Sequence, residues 1–233
     1  MTAGPALAAR WRPIRSSRTG RMVQLLLGLF FYGIAIAMMI RAAIGIAPWD
    51  VLAQGISLKT GIGFGLITNI IGGVVLLLWI PIQQRLGIGT VLNALLIGPS
   101  ADVGLALIPV QDNIWLKILL FIGGLVLLAI ATGLYIGARF GPGPRDGLMT
   151  GMHKKFGWPL WAVRTSLEVS VLVIGWLLGG NVGVGTLAFA LLVGPMINYT
   201  MPLLQIQPRA VPAGGAEPCH PTGSAPGRTR PDS

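Results

Sequence analysis

The sequence is poor in charged residues, above all in acidic ones. Only 10% of its 233 residues are charged, with 7 Asp and Glu against 17 Lys and Arg, whereas 53% are hydrophobic. Soluble domains carry about 25% charged residues, so this chain has too little polar surface to cover a water-exposed globule. The composition argues against a soluble enzyme and a disordered chain, and the single cysteine, Cys219, excludes an intramolecular disulfide.

Groups that carry catalysis or bind metals are equally scarce. The histidines are His153 and His220 alone, and no Cys/His cluster has the spacing of a metal site. The acidic residues are scattered, and no Ser/His/Asp set or phosphate-binding loop is present. We therefore expect a protein that is not an enzyme and that uses no cofactor or metal.

Long apolar runs are abundant instead. A bilayer core needs about 20 apolar residues for each helix that crosses it, and six runs qualify. They cover residues 22–40, 62–80, 88–109, 115–138, 160–179 and 184–203. Tryptophans near the ends of these runs, Trp79 among them, fit an interfacial belt. The sequence predicts an all-α polytopic membrane protein with six transmembrane helices embedded in the lipid bilayer.

The basic residues indicate how these helices are oriented. With the N-terminus inside, 14 of the 17 Lys and Arg fall on inner segments and only Arg41, Lys59 and Lys117 on outer ones. Cytoplasmic segments of membrane proteins are rich in Lys and Arg, so we expect both termini to be cytoplasmic. The net charge of +10 is then a topology signal, and no nucleic-acid partner is expected.

The composition also divides the chain. Residues 1–21 form a basic N-terminal tail, whose arginines can contact anionic lipid headgroups. Residues 206–233, rich in Pro, Gly, Ala and Ser, are predicted to be a disordered cytoplasmic tail. Two units of three spans each lie between these tails, at 22–109 and 115–205.

The two units are copies of each other. At an offset of 96 residues and without a gap, Gly, Pro, Asp and Thr recur in register, as in G-x-G-T-x-x-x-A-L-L-[IV]-G-P at 87–99 and 183–195. Because each copy has an odd number of spans, the second copy crosses the membrane in the opposite direction. Two such inverted three-helix repeats are the plan of many secondary transporters. Channels and scaffolding proteins also use it, so the repeat favours transport without establishing it.

Each copy also contains a short segment that begins at a proline, PWD at 48–50 and PRD at 144–146. Proline suits the first turn of a helix, and a carboxylate complements the positive helix N-terminus. These motifs predict short helices at about 49–58 and 145–155 that do not span the membrane. Two placements are open: along the membrane interface, or re-entrant, with the tips approaching each other near the midplane, where transporters often bind substrate.

The fifth predicted span contains two charges, Arg164 and Glu168. Their i,i+4 spacing puts them on one helix face, and at 1.5 Å per residue Glu168 lies about 15 Å into the membrane. A carboxylate at that depth should face the protein interior. It is either a proton- or cation-coupling group or half of a structural ion pair. The first copy has Thr68 and Gly72 at these positions, so the pair exists in one half only.

The third span contains Asp102, three residues after Gly98-Pro99. A proline inside a span frees a backbone carbonyl one turn earlier, and a polar side chain beside it can complete a cation or solute site. The alternative is that Asp102 is hydrated at the outer interface.

Several segments are similar to those of the bacterial YczE membrane proteins, which are related to the wider YitT group. The segments are PWDVLAQGISLKTG, GIGTVLN, GPRDGLMTGM, VRTSLE and GWLLGGNVGVGT. The resemblance covers roughly residues 22–204. It implies a multi-pass protein of the bacterial inner membrane. It supplies no substrate.

Two functions are compatible with these features. The first is a small-solute permease or exporter, with a site for a small molecule or ion at the repeat interface. The candidate residues are Asp50, Asp102, Arg145, Asp146, Arg164 and Glu168. Asp50 and Asp146 would cap helices or bind a cationic group. Arg145 and Arg164 would attract an anion, and Glu168 would couple protons.

The second function is that of a non-transporting accessory or regulatory protein, acting through the basic cytoplasmic face at 139–164. Either function is compatible with a homodimer or a membrane partner protein.

Overall fold

The protein is described by a computed structural model that covers residues 17–84 and 86–204. Within these residues the chain forms eight α-helices. They are α1 (Arg18–Ala42), α2 (Pro48–Thr60), α3 (Phe64–Ile82), α4 (Ile88–Leu107), α5 (Ile114–Gly137), α6 (Pro144–Phe156), α7 (Leu160–Leu177) and α8 (Val184–Leu204). All except α2 and α6 are long and apolar enough to cross a membrane, so the six predicted spans are confirmed.

The helix ends follow from the local sequence. The side chain of Ser17 accepts a hydrogen bond from the Gly20 N–H and caps α1, so the helix already includes the last residues of the predicted tail 1–21. Proline occupies the first turn of both α2 and α6. Each of these helices ends at a glycine with positive φ, Gly61 at +74° and Gly157 at +70°. The rest of the N-terminal tail and the predicted tail 206–233 lie outside the described residues.

The two halves match in structure as they do in sequence. The bounds of α2, Pro48–Thr60, become those of α6, Pro144–Phe156, when 96 is added. The turns that precede these helices are closed in the same way, each by the other half. The N–H of Gly185 donates to the Ile44 carbonyl at 2.8 Å, and the N–H of Gly89 donates to the Phe140 carbonyl at 3.0 Å. The halves therefore exchange matched backbone hydrogen bonds.

The core of the bundle lies between α1 and α5, which pack along their lengths. Glycines make this contact close: Gly28 lies against the backbone of α5, and Gly124 lies against Ala35 and Met39 of α1. Leu29 and other side chains of α1 are completely buried there. α4 then packs on α1, and α8 packs on α5. Most of the large apolar side chains on the outer helices are exposed, as a lipid-facing surface requires.

The short helices point their N-terminal turns into the bundle. Asp50 and Pro144 are buried, whereas Lys59 and Phe156 in the last turns are exposed. α2 packs on α7, and α6 packs on α3. Pro48, Asp50, Pro144 and Gly147 at these tips are buried against neighbouring helices, whereas Asp146 is exposed.

Trp79 shows one consequence of this arrangement. The prediction that it belongs to an interfacial belt is wrong, because the side chain is only 1% exposed. Its indole N–H donates to the Pro144 carbonyl at 3.1 Å, and its ring fills the space beside Gly147. Trp79 is buried because the first turn of α6 packs on the end of α3.

The two halves differ in how tightly their last two helices pack. In the first half, Gly98 of α4 lies against Gly65 and Asn69 of α3, and the Asn69 amide donates to the Leu95 carbonyl at 3.1 Å. Gly194 is the equivalent residue of α8, and no described atom lies within 4 Å of the position that its Cβ would take. Helices α3 and α4 are thus in close contact, whereas α7 and α8 are parted.

Candidate functional site

The first turns of α2 and α6 are joined by an ion pair. A guanidinium nitrogen of Arg145 lies 3.2 Å from the Asp50 carboxylate, and the two side chains are 27% and 2% exposed, respectively. The guanidinium also lies over the ring of Trp49, 5.2 Å from its centre. Burial raises the pKa of the Asp50 carboxyl, and Arg145 counteracts that rise by its charge and hydrogen bond. One cation of the second half therefore compensates a buried carboxylate of the first.

Asp146 follows Arg145 in the first turn of α6 and has a different environment. Its carboxylate accepts a long hydrogen bond of 3.5 Å from the Tyr135 hydroxyl. Asp146 is exposed by accessible surface and faces the cavity. Nearby protein atoms still reduce the hydration of its carboxyl and raise the pKa, while Arg164 and Arg145 lower it in part.

Arg164 and Glu168 pair with each other on α7. Their Nε and Oε1 atoms are 3.0 Å apart, and the side chains are 56% and 30% exposed. Both residues line the same cavity as Asp146. The i,i+4 pair thus lies beside the short-helix junction and remains partly accessible, with neither charge deeply buried.

Two cavities, each of about 100 Å³, flank this junction. The α3–α4 cavity is lined by Asn93, Ile97 and other residues of the first half, and the α7–α8 cavity by Phe189, Val193 and other residues of the second. Phe189 and Val193 are the repeat equivalents of Asn93 and Ile97. Both cavities also share the lining residues Tyr32, Tyr135, Arg145 and Asp146. The cavities therefore occupy equivalent places in the two halves and meet at the same polar residues.

Asp102 lies away from this site. Its Oδ1 accepts a hydrogen bond of 2.8 Å from the Gly65 N–H, at the beginning of α3, and the residue lines neither cavity. The structure therefore brings together five of the six candidate residues and leaves Asp102 as a link between α4 and α3.

Four further residues belong to the site without being among the candidates: Tyr32, Trp49, Asn93 and Tyr135. Asn93 is only 8% exposed and lines the α3–α4 cavity. The indole nitrogen of Trp49 is buried and has no hydrogen-bond partner among the described residues. Tyr32 carried a usable signal, because a hydroxyl in the middle of an apolar span needs a polar surrounding. Asn93 carried a similar signal, as an amide within the apolar run 88–109. Trp49 and Tyr135 become recognisable only when the halves are packed together.

The fold and this polar junction define an α-helical integral membrane protein. The chain belongs to a family of unknown function, DUF6198, whose model matches residues 19–202. It is 31% identical to the uncharacterised membrane protein YczE of Bacillus subtilis over 177 residues, which are 75% of this chain and 82% of that protein. The resemblance to the YczE proteins is thus confirmed.

Two other relatives cover similar shares of the chain. An uncharacterised protein of Haemophilus influenzae is 34% identical over 180 residues, 77% of this chain and 83% of its own. The uncharacterised protein YyaS of Bacillus subtilis is 28% identical over 189 residues, 77% of this chain and 91% of its own. No solved structure matches the chain significantly.

Proposed function

We propose that this protein is a small-solute permease or exporter of the bacterial inner membrane, and not an enzyme. The observation that carries the proposal is the cluster of five ionisable side chains beside two cavities, inside a bundle of membrane-length helices. Ionisable groups at membrane depth are costly, and they typically mark substrate or ion pathways. The substrate would bind where α2 and α6 meet.

The organisation of the two halves supports this proposal. We regard them as inverted repeats, because each contributes three of the six long helices and because they exchange matched hydrogen bonds. In such transporters, short helices commonly point their N-termini at a substrate site near the midplane. The burial of Pro48, Trp49 and Asp50 in α2 and of Pro144 and Gly147 in α6 is consistent with this arrangement. The charge bias would place both termini in the cytoplasm.

The unequal packing of the halves suggests how access could alternate. Gly98 is in contact with α3, whereas its equivalent Gly194 faces open space. If the halves exchanged conformations, α7 would close on α8 while α3 parted from α4. The central charges would then be reached from the opposite side, as the rocking of one repeat against the other requires.

Transport can be tested with the full-length protein in liposomes that contain a pH-sensitive dye. A panel of amino acids, amines, carboxylates and sugars is added on one side, and the change in internal pH is followed. We expect a saturable change with at least one class and loss of its pH dependence in Glu168→Gln. Asp112→Asn is the matched control, because this carboxylate lies in the loop before α5. Unchanged flux in Glu168→Gln would remove Glu168 from the mechanism, and no flux with any class would overturn the proposal.

The accessory function retains one supporting observation, the exposed basic end of α6 with Lys154 and Lys155. Arg145 is not part of that face, because its guanidinium pairs with Asp50 inside the bundle. A defined membrane partner that is lost on substituting both lysines with Gln, and kept in Glu168→Gln, would favour this function over transport.

A further inference from the structure

The charges of the central site do not balance. Arg145 pairs with Asp50 at 3.2 Å, and Arg164 pairs with Glu168 at 3.0 Å. Asp146 is left with no cation within ion-pair distance among the described residues, so the five groups sum to a formal charge of −1 when ionised. A carboxylate inside a membrane protein is normally paired or protonated. The unmatched charge therefore favours a cationic ligand at Asp146.

The surroundings of Asp146 suit an ammonium group. The Tyr135 hydroxyl reaches only one carboxylate oxygen, at the long distance of 3.5 Å, so most of its acceptor capacity is free. Tyr32 and Tyr135 line both cavities with it, and their rings meet edge to face with centres 5.9 Å apart. Faces of aromatic rings attract cations through their quadrupole.

The α3–α4 cavity limits the rest of the ligand. Ile71, Val75 and Ile97 give it an apolar wall, and Asn93, which is 8% exposed as a residue, adds an amide to the lining. An amide at a cavity wall can donate to a ligand oxygen and accept from a ligand hydroxyl. A volume of about 100 Å³ restricts the ligand to a few heavy atoms.

An anion is a poorer fit. Both arginines of the site are already neutralised by carboxylates, and the guanidinium of Arg145 is covered by the Trp49 ring. An added negative charge would also meet Asp146 and Glu168.

We infer that the central site binds a small organic cation, whose ammonium group pairs with Asp146 beside the Tyr32–Tyr135 ring pair and whose short polar end reaches Asn93. This inference rests on the proposed permease function and names its substrate class. The ligand would be a primary amine with a two- or three-carbon chain.

The test measures binding by titration calorimetry on the full-length protein in lipid nanodiscs at neutral pH. The probes are ethylammonium and ethanolammonium, with ethylene glycol and glycolate as neutral and anionic counterparts. We expect saturable binding of the two ammonium compounds only. Asp146→Asn should weaken that binding at least tenfold, and Asp112→Asn should leave it unchanged. Asn93→Leu should weaken ethanolammonium binding and spare ethylammonium.

Three results would overturn the inference. The first is that wild-type protein binds neither ammonium compound, and the second is that it binds glycolate as tightly as it binds the ammonium compounds. The third is that a folded Asp146→Asn protein binds ammonium with wild-type affinity. The first two use wild-type protein and need no variant to fold. A thermal unfolding curve checks the third.

The outcome is separable from that of the transport assay. Ammonium binding through Asp146 without flux of any solute would keep the inference and remove the permease. Solute flux by a protein that binds no ammonium compound would keep the permease and overturn the inference. Proton uptake at Asp146 without ammonium binding would also overturn the inference.

Discussion

Trp49 and Arg145 occupy the same position in the two halves of the chain, and they lie against each other, with the guanidinium 5.2 Å from the centre of the indole ring. The next residues, Asp50 and Asp146, are also equivalent. Because only the second half has the arginine, and because it reaches across to Asp50, one carboxylate is neutralised and the other is left free. The Trp-to-Arg difference between the two halves thus gives Asp50 a cationic partner that its equivalent Asp146 lacks among the described residues.

This pair predicts unequal effects for its two members. Arg145→Met leaves Asp50, with 2% of its side chain exposed, as an uncompensated buried charge. Breaking a buried pair in this way typically costs about 3–5 kcal/mol. Asp50→Asn leaves Arg145, which is 27% exposed and next to Asp146, and should cost less. The midpoints of thermal unfolding of the two variants in one detergent measure which is destabilised more. Equal decreases of the midpoint would contradict the prediction. The double variant should recover part of the loss of Arg145→Met.

Gly147 tests the contact between α6 and α3. A Cβ at this position would overlap the six-membered ring of Trp79, so Gly147→Ala should destabilise the protein by about 1–3 kcal/mol, as overpacking does. Gly73→Ala is the control within a helix, since no atom lies within 4 Å of the added Cβ. It should be neutral or stabilising by up to about 1 kcal/mol. A harmless Gly147→Ala would show that α6 does not rest on Trp79.

The stability of the protein should depend on pH through Asp146. Reduced hydration raises the pKa of the Asp146 carboxyl above its ordinary value of 3.8, so the folded state binds the proton more tightly than the unfolded chain. This contribution to stability is complete below the unfolded pKa, and it is lost as pH rises through the folded one. Asp146→Asn, neutral at every pH, should therefore be more stable than wild type at about pH 8 and lose that advantage on acidification.

The measurement compares melting temperatures of the two proteins across this pH range, with Asp112→Asn as the control. Other ionisable groups surround the site and are present in both proteins, so the difference between the curves isolates Asp146. These groups are Tyr32, Asp50, Tyr135, Arg145, Arg164 and Glu168. Parallel curves would show that Asp146 keeps its ordinary pKa.

The gap between α7 and α8 predicts a movable contact. Thr165 and Gly194 are equivalent to Asn69 and Gly98, which are in contact in the first half. In a Cys219→Ser background, Thr165→Cys and Gly194→Cys should form a disulfide under oxidation as α7 closes on α8. Flux should stop and return on reduction. The two single-cysteine variants are controls, and a cross-link that leaves flux unchanged would contradict a gating role.

The sequence was sufficient to predict the helices, but it was insufficient to predict which side chains of different helices are in contact. Apolar runs and the prolines at 48 and 144 predicted the six spans and both short helices to within a few residues. The Asp50–Arg145 pair was not predicted, because which side chains meet depends on the angle at which the halves pack. The same reason explains Trp79, which looks interfacial along the chain and is buried only because α6 covers it. For Asp102, the sequence left open a solute site and a hydrated position at the outer interface. Its carboxylate instead accepts a hydrogen bond from the Gly65 N–H, a contact that depends on how α3 packs on α4.

The matched hydrogen bonds between the halves also bear on how the protein is made. The chain is inserted from its N-terminus, so Ile44 enters the membrane early. The donor to its carbonyl, Gly185, belongs to the last helix, α8. Until α8 arrives, the turn that supports α2 lacks this partner, and unsatisfied backbone groups in lipid cost several kcal/mol. The hydrogen bonding of the turn before α2 is therefore complete only when the beginning of α8 has packed against it.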